Sequence, residues 1–98
     1  MYTVIFRAQI KQRDAAYTQT AERLRQLALT QYHCTAFYAS TEGDQEIAIS
    51  YWPTREAIQA WKADPEHQQA QLQGQSRWYH AYSVEILHLE KAYHFNSD

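Results

Sequence analysis

Two tryptophans, two prolines and a histidine crowd into residues 49–67, ISYWPTREAIQAWKADPEH. In a helix starting after Thr54, residues Ala57, Ile58 and Trp61 share one face. Asp64 as a cap, with Pro65 at the first helical position, restarts the helix and re-aims the turn that follows. His67 and Gln71, one helical turn apart, then look the same way. With Trp52 closing the preceding strand, the stretch predicts a concave aromatic wall carrying two polar groups. The plainer expectation from the same residues is that Trp52 and Trp61 fill a core while His67 bonds locally near a helix end.

Other chemistries lack their residues. His80 and His88 lie on one predicted strand, roughly 26 Å apart, and cannot share an ion. No HxxxH or CxxC spacing occurs, so no metal site is expected. Ser50 and Ser83 sit on predicted strands without the glycine-flanked elbow that a nucleophilic serine needs. Gly43 and Gly74 are the only glycines, and neither lies in a glycine-rich phosphate loop.

The elements that must position the wall follow from periodicity. Residues 2–10 alternate as a strand. Asp14 then caps an amphipathic helix whose inner face carries Tyr17, Ala21, Leu24 and Ala28. Residues 33–41 and 46–52 read as strands joined through EGDQ, where Gly43 suits a hairpin. The broken second helix runs on until Gly74 is expected to stop it, and residues 78–90 form the last strand. The order is β-α-β-β-α-β, the α+β, ferredoxin-like βαββαβ sandwich, filling residues 1–98 as one domain with a tail over 90–98.

In that last strand Tyr79, Ala81, Leu87 and Leu89 take one side, with Tyr82, Val84 and Ile86 on the other. Both sides are apolar, so something must cover the sheet twice. A second copy packed face to face is the economical solution, and a homodimer with sheets stacked about 10 Å apart is expected. A net charge of −2 without a basic cluster argues against nucleic acid. Cys34 is the single cysteine and is expected to be a small buried residue rather than a reactive thiol. No apolar run is long enough to span a membrane, MYTVIFRAQI is too short and strand-like for a signal peptide, and a cytoplasmic location is expected.

ISYW, then EAIQAWK, DPEH, the WY pair at 78–79 with Tyr82, and a closing EKAY resemble the antibiotic biosynthesis monooxygenase (ABM) family in its small single-domain bacterial branch. The resemblance covers nearly the whole chain and is most specific from Ile49 to Tyr82. It implies a dimeric α+β barrel with a hydrophobic pocket in each subunit between sheet and helices. Some members oxygenate aromatic phenols without metal or flavin, and some cleave haem. The haem-cleaving branch uses a first-strand asparagine, a tryptophan in the second helix and a ligand histidine ten residues later. Trp61 matches the tryptophan, but Gln71 stands at the histidine position and Phe6 or Arg7 at the asparagine position. Haem is therefore disfavoured, and no cofactor is expected.

Cofactor-free oxygenation of a small hydrophobic or aromatic molecule needs a base, an anion-stabilising donor and a dry wall. His67 is the expected base. Arg7, Tyr51 or Tyr82 would steady the anion, and Trp61 and Trp78 would form the wall, with Phe6 and Gln71 also against the substrate. A sheet-face ion pair with Glu85 or Glu46 is the competing expectation for Arg7. The rival functions are a non-enzymatic ligand-binding module on the same dimer, a haem-binding relative, or an isomerase-like activity.

Overall fold

The computed structural model describes residues 1–97. Strand β1 (Tyr2–Ile10) leads to Asp14, whose carboxylate accepts the Tyr17 N–H at 2.8 Å and starts α1 (Ala15–Gln31). Capping the first turn satisfies a donor that the helix leaves orphaned. At its other end α1 closes through Tyr32 and through His33 in the left-handed region, φ 66°. Cys34 N–H then bonds back to the Ala28 carbonyl at 3.0 Å. This closure delays β2, which runs Ala36–Glu42 instead of starting at His33. A two-residue turn with Gly43 at φ 60° joins β2 to β3 (Gln45–Trp52). A positive φ at the first central position is what a tight hairpin of this kind requires of its glycine.

Thr54 Oγ1 accepts from the Ala57 N–H at 3.1 Å and opens α2 (Arg55–Ala63). Asp64 breaks the axis at φ −59°, ψ 134°, then caps α3 (Pro65–Gln73) by accepting the Glu66 N–H at 2.8 Å. The same carboxylate accepts the Tyr32 hydroxyl at 2.6 Å, which ties the break to the end of α1. An exposed Arg23–Glu66 ion pair at 2.9 Å also links α1 to α3.

Gly74 does not stop this helix. Its backbone stays right-handed, and the chain continues through a π-helical turn, Gly74–Trp78, before β4 (Tyr79–His88). Glycine is required there for room, because a Cβ would lie 2.9 Å from two ring carbons of Tyr79. Trp78 therefore belongs to the turn and not to the last strand. Beyond β4, the Leu89 N–H bonds to the Met1 carbonyl at 2.9 Å, and residues 90–97 run on without helix or strand.

The strands form one antiparallel sheet in the order β2-β3-β1-β4, with the helices on one face: a ferredoxin-like α+β sandwich. Register decides which side chains meet the helices. Val4, Phe6 and Ala8 on β1 pair with Ser50, Ala48 and Glu46 on β3 and with Ile86, Val84 and Tyr82 on β4, so all of these share the inner face. Between Gln9 and Ile10 the β1–β4 register shifts. Gln9 faces Ala81 but Ile10 faces Tyr79, leaving His80 as the extra residue. A bulge of this kind re-aims its neighbours. Here it turns Tyr79 to the same side as Tyr82, not to the side of Ala81 that simple alternation predicts.

The core occupies the end of the inner face where β1 begins and β3 finishes. Trp52 and Ile58 are fully buried there with Leu27, Ala28, Val4 and Cys34, and the Trp52 indole donates to the Ser50 hydroxyl at 2.8 Å. On the outer face Ile5, Ile49 and Tyr51 are half-buried while Tyr38 (64%), Ile47 (43%) and Leu87 (43%) are exposed. Among the described residues no helix is long and apolar enough to cross a membrane.

Candidate active site

A cavity of about 460 Å³ opens between the inner face of the sheet and the helices. Phe6, Ala48 and Val84 form its floor; Tyr17 and Leu24 of α1, Trp61 of α2, and His67 and Gln71 of α3 form its walls and roof. The break at Asp64 creates the space. A continuous helix would carry residues 65–73 along the axis of α2, whereas the restart swings His67 against Trp61, their rings 4.4 Å apart and nearly perpendicular. Trp61 is held in turn by its indole N–H donating to the Leu24 carbonyl at 3.1 Å and by edge contact with Phe37.

Of the eight residues expected to act here, His67, Trp61, Gln71, Trp78, Tyr82 and Phe6 all line the cavity. Arg7 and Tyr51 do not. Both have the wrong parity: Arg7 pairs with Ile47 and Ser83, and Tyr51 with Thr3 and Ala36, all on the outer face. Arg7 bonds to Glu85 at 2.5 Å with both side chains about half exposed, the competing expectation for it, and an exposed pair of this kind contributes about 0–1 kcal/mol. Tyr51 packs edge-on against Tyr38. Neither reaches the cavity of its own chain.

The electrostatics favour an uncharged imidazole. Burial of His67 pushes its pKa below the usual histidine value, and the nearby Lys62 ammonium pushes the same way. Its Nδ1 is buried without a hydrogen-bond partner among the described residues. Tyr17 Oη and Trp78 Nε1 are in the same condition, and all three residues line the cavity. Leaving a buried polar atom unpaired costs about 1–3 kcal/mol, and such atoms cluster where a site is built for more than packing.

Sequence alone missed three lining groups. Lys62 follows Trp61 on α2 and reaches the cavity by its long stem, where it is the cation closest in effect to His67. Glu46 lies on the inner face by the same alternation that places Ala48, Ser50 and Trp52 there; that signal was readable, but an acidic residue at a strand start is usually assigned to solvent. Its desolvation raises the carboxyl pKa, against a smaller opposing pull from Arg13. Tyr79 required the bulge, which leaves no mark in the sequence. Its phenol is also raised, by burial first and then by the charge of Glu46. Tyr82 accepts from Gln75 Nε2 at 2.9 Å, so its own hydroxyl proton is free to donate. Among the described residues no group of three or more His, Cys, Asp or Glu side chains is placed to hold a metal ion.

No family model matches the chain. The uncharacterized protein YqjZ of Bacillus subtilis is 35% identical over 91 residues, covering 92% of this chain and 80% of YqjZ. Rv0793 from Mycobacterium tuberculosis superposes with a TM-score of 0.79 at 14% identity, covering 94% of this chain and 98% of that one. SnoaB, a cofactor-independent oxygenase from Streptomyces nogalater, gives 0.77 at 13% identity, covering 93% and 94%. A solved antibiotic biosynthesis monooxygenase has the same shape, with a TM-score of 0.68 at 18% identity, covering 93% of this chain and 100% of that one. The chain belongs to the family of YqjZ, and its fold is the one seen in the antibiotic biosynthesis monooxygenase structures.

Proposed function

We propose that the chain oxygenates a small aromatic molecule without a cofactor, in the cavity, as a homodimer. The observation that carries this is one imidazole, His67, kept neutral by burial and by Lys62, inside an aromatic wall large enough to take a ring system. A base must be unprotonated at working pH, and both influences on His67 act in that direction. With Nδ1 sealed, Nε2 is the atom that takes the proton from an activated methylene or phenol. Lys62 and the free O–H of Tyr82 steady the anion; Arg7 and Tyr51, turned to the outer face, have no part in this scheme.

The resulting anion gives one electron to dioxygen. Radical and superoxide then couple to a peroxide anion, which recovers the proton from His67 and loses water to leave a carbonyl. One methylene and one O₂ become one carbonyl and one H₂O, so no outside reductant is needed. The fold is shared with SnoaB, a cofactor-independent oxygenase, which supports the reading. Haem fits poorly. The residue ten positions after Trp61 is Gln71, whose amide is not among the usual axial ligands of haem iron, and His67 is wedged edge-on against Trp61.

The dimer rests on the outer face, where Tyr38, Ile47 and Leu87 stand exposed beside half-buried Ile5, Ile49 and Tyr51. A second copy stacked sheet to sheet covers them. Sedimentation at micromolar concentration should give twice the chain mass, and a monomer there rejects the dimer. For the chemistry, purified protein with anthrone should consume one O₂ per anthraquinone formed. His67→Ala should slow this by about 10²–10⁴-fold, the usual contribution of a positioned base. Undiminished turnover in that variant removes His67 as the base.

A further inference from the structure

The cavity has a second polar end, distant from His67. Along β3, Trp61 lies above the Phe37–Ser50 pair, its ring 6.1 Å from Phe37. Glu46, four residues away on the same strand and the same face, is on the order of 13 Å from that level. Among the described residues the Glu46 side chain makes no hydrogen bond and no ion pair. Arg13 exerts a pull on it but spends a guanidinium N–H on the Gly43 carbonyl at 3.2 Å. A half-buried carboxylate in a largely apolar cavity loses part of its hydration with no protein partner in return, and a hydrogen-bond donor on an occupant offsets that loss. At the same end of the cavity, one inward step along β1 (Ala8 pairs with Glu46, Ile10 with Tyr79), stands Tyr79, which Phe6, Tyr17 and Tyr82 hem in at ring distances of 5.6–5.9 Å. Glu46 itself helps hold the proton on that phenol, so Tyr79 stays a donor. One acceptor and one donor at the same end of the cavity match a hydroxyl group, which both gives and takes a hydrogen bond.

We propose that Glu46, with Tyr79, binds a hydroxyl at one end of an elongated aromatic ligand whose other end lies at His67, and so selects ligands with hydroxyls at both ends. This rests on the cavity being the ligand site. Subtracting about 3 Å for a hydrogen bond at each end leaves room between the poles for about two fused rings. Glu46 is thereby a specificity-determining residue, and the oxygenation scheme does not depend on it.

The test compares 2,6-dihydroxynaphthalene with its mono-methyl ether, 6-methoxy-2-naphthol, by isothermal titration calorimetry. The wild-type protein should prefer the diol by about tenfold or more, the effect of one hydrogen bond to a charged group. In Glu46→Gln the preference should collapse to within about threefold, since both compounds can still offer one hydroxyl to His67. Equal wild-type affinities, or a preference that survives Glu46→Gln, overturn the role of Glu46 while leaving the cavity as a ligand site. If neither compound binds, the cavity reading fails and this inference fails with it. The wild-type comparison stands even if the variant does not fold.

Discussion

The two ends of the helix-covered face of the sheet are built from similar residues to opposite purposes. At one end Trp52, Ile58, Ala28 and Leu27 are packed until none keeps more than 2% of its surface, and the one buried polar pair, Trp52 and Ser50, is hydrogen-bonded. At the other, Phe6, Tyr17, Trp78, Tyr79 and Tyr82 surround open space, and the Tyr17 hydroxyl and Trp78 indole N–H have no hydrogen-bond partner among the described residues. Trp61 and His67 form the boundary. Aromatic content therefore does not distinguish core from site; what distinguishes them is whether polar atoms are satisfied. Stability should be concentrated in the first end and ligand response in the second.

Truncation on either side of that boundary gives the largest expected contrast. Leu27→Ala removes a side chain that is 2% exposed in the packed end and does not line the cavity, and should cost about 2–5 kcal/mol in chemical denaturation. Val84→Ala, on the cavity floor and 41% exposed, should cost about 1 kcal/mol or less, because no filled space is emptied. Similar losses at both positions would mean that the cavity end is as tightly packed as the core.

Next in size is Gly74→Ala. The residue has right-handed backbone, so alanine brings a gain of about 0.5–1 kcal/mol from propensity and unfolded-state entropy. Against this, the new Cβ lies 2.9 Å from two carbons of the Tyr79 ring, which Phe6, Tyr17 and Tyr82 keep from sliding away. Overpacking of this kind costs about 1–3 kcal/mol, so the clash wins and the net change should be a loss of about 1 kcal/mol, with a weakened response to 2,6-dihydroxynaphthalene. A stabilised variant with unchanged binding would show that Tyr79 yields freely and that the cavity end is pliable.

The packed end was largely legible in the sequence, and the cavity only in part. Asp14, Thr54, Asp64 and Pro65 each announce a helix start by local chemistry, residues 2–10 alternate as the strand they form, and Trp52 was one of the two tryptophans expected to fill a core on the plainer reading. Those signals are short-range. The left-handed closure at His33 and the right-handed Gly74 were not legible, because glycine permits a stop without compelling one and histidine permits the turn without advertising it. Arg7 and Tyr51 were misplaced for a related reason. Their types suit anion stabilisation, but strand parity outranks type, and parity puts both on the outer face. The sign of Tyr79 depends on a bulge set by where β4 pairs with β1, a long-range fact that no local pattern carries.

The smallest effect tests the boundary itself. His67 has a folded-state pKa below the ordinary histidine value of about 6.5, from desolvation and then from Lys62. The unfolded chain therefore binds a proton more readily than the folded one between those two values, and stability rises with pH across that window. His67's contribution is fully present above about pH 6.5 and is lost as pH falls toward its lower folded value. A thermal melt series from pH 7.5 to pH 5 should show Tm falling on the acid side, and His67→Gln should flatten that limb without altering the plateau above neutrality. Lys62→Gln should reduce the slope less, because burial is the larger of the two causes. If a saturating aromatic ligand steepened the acid limb in the wild type but not in His67→Gln, the imidazole would be shown to meet the ligand as a neutral group. An acid limb identical in both proteins would mean that His67 takes up its proton equally in the folded and unfolded chain, and that burial does not hold it neutral.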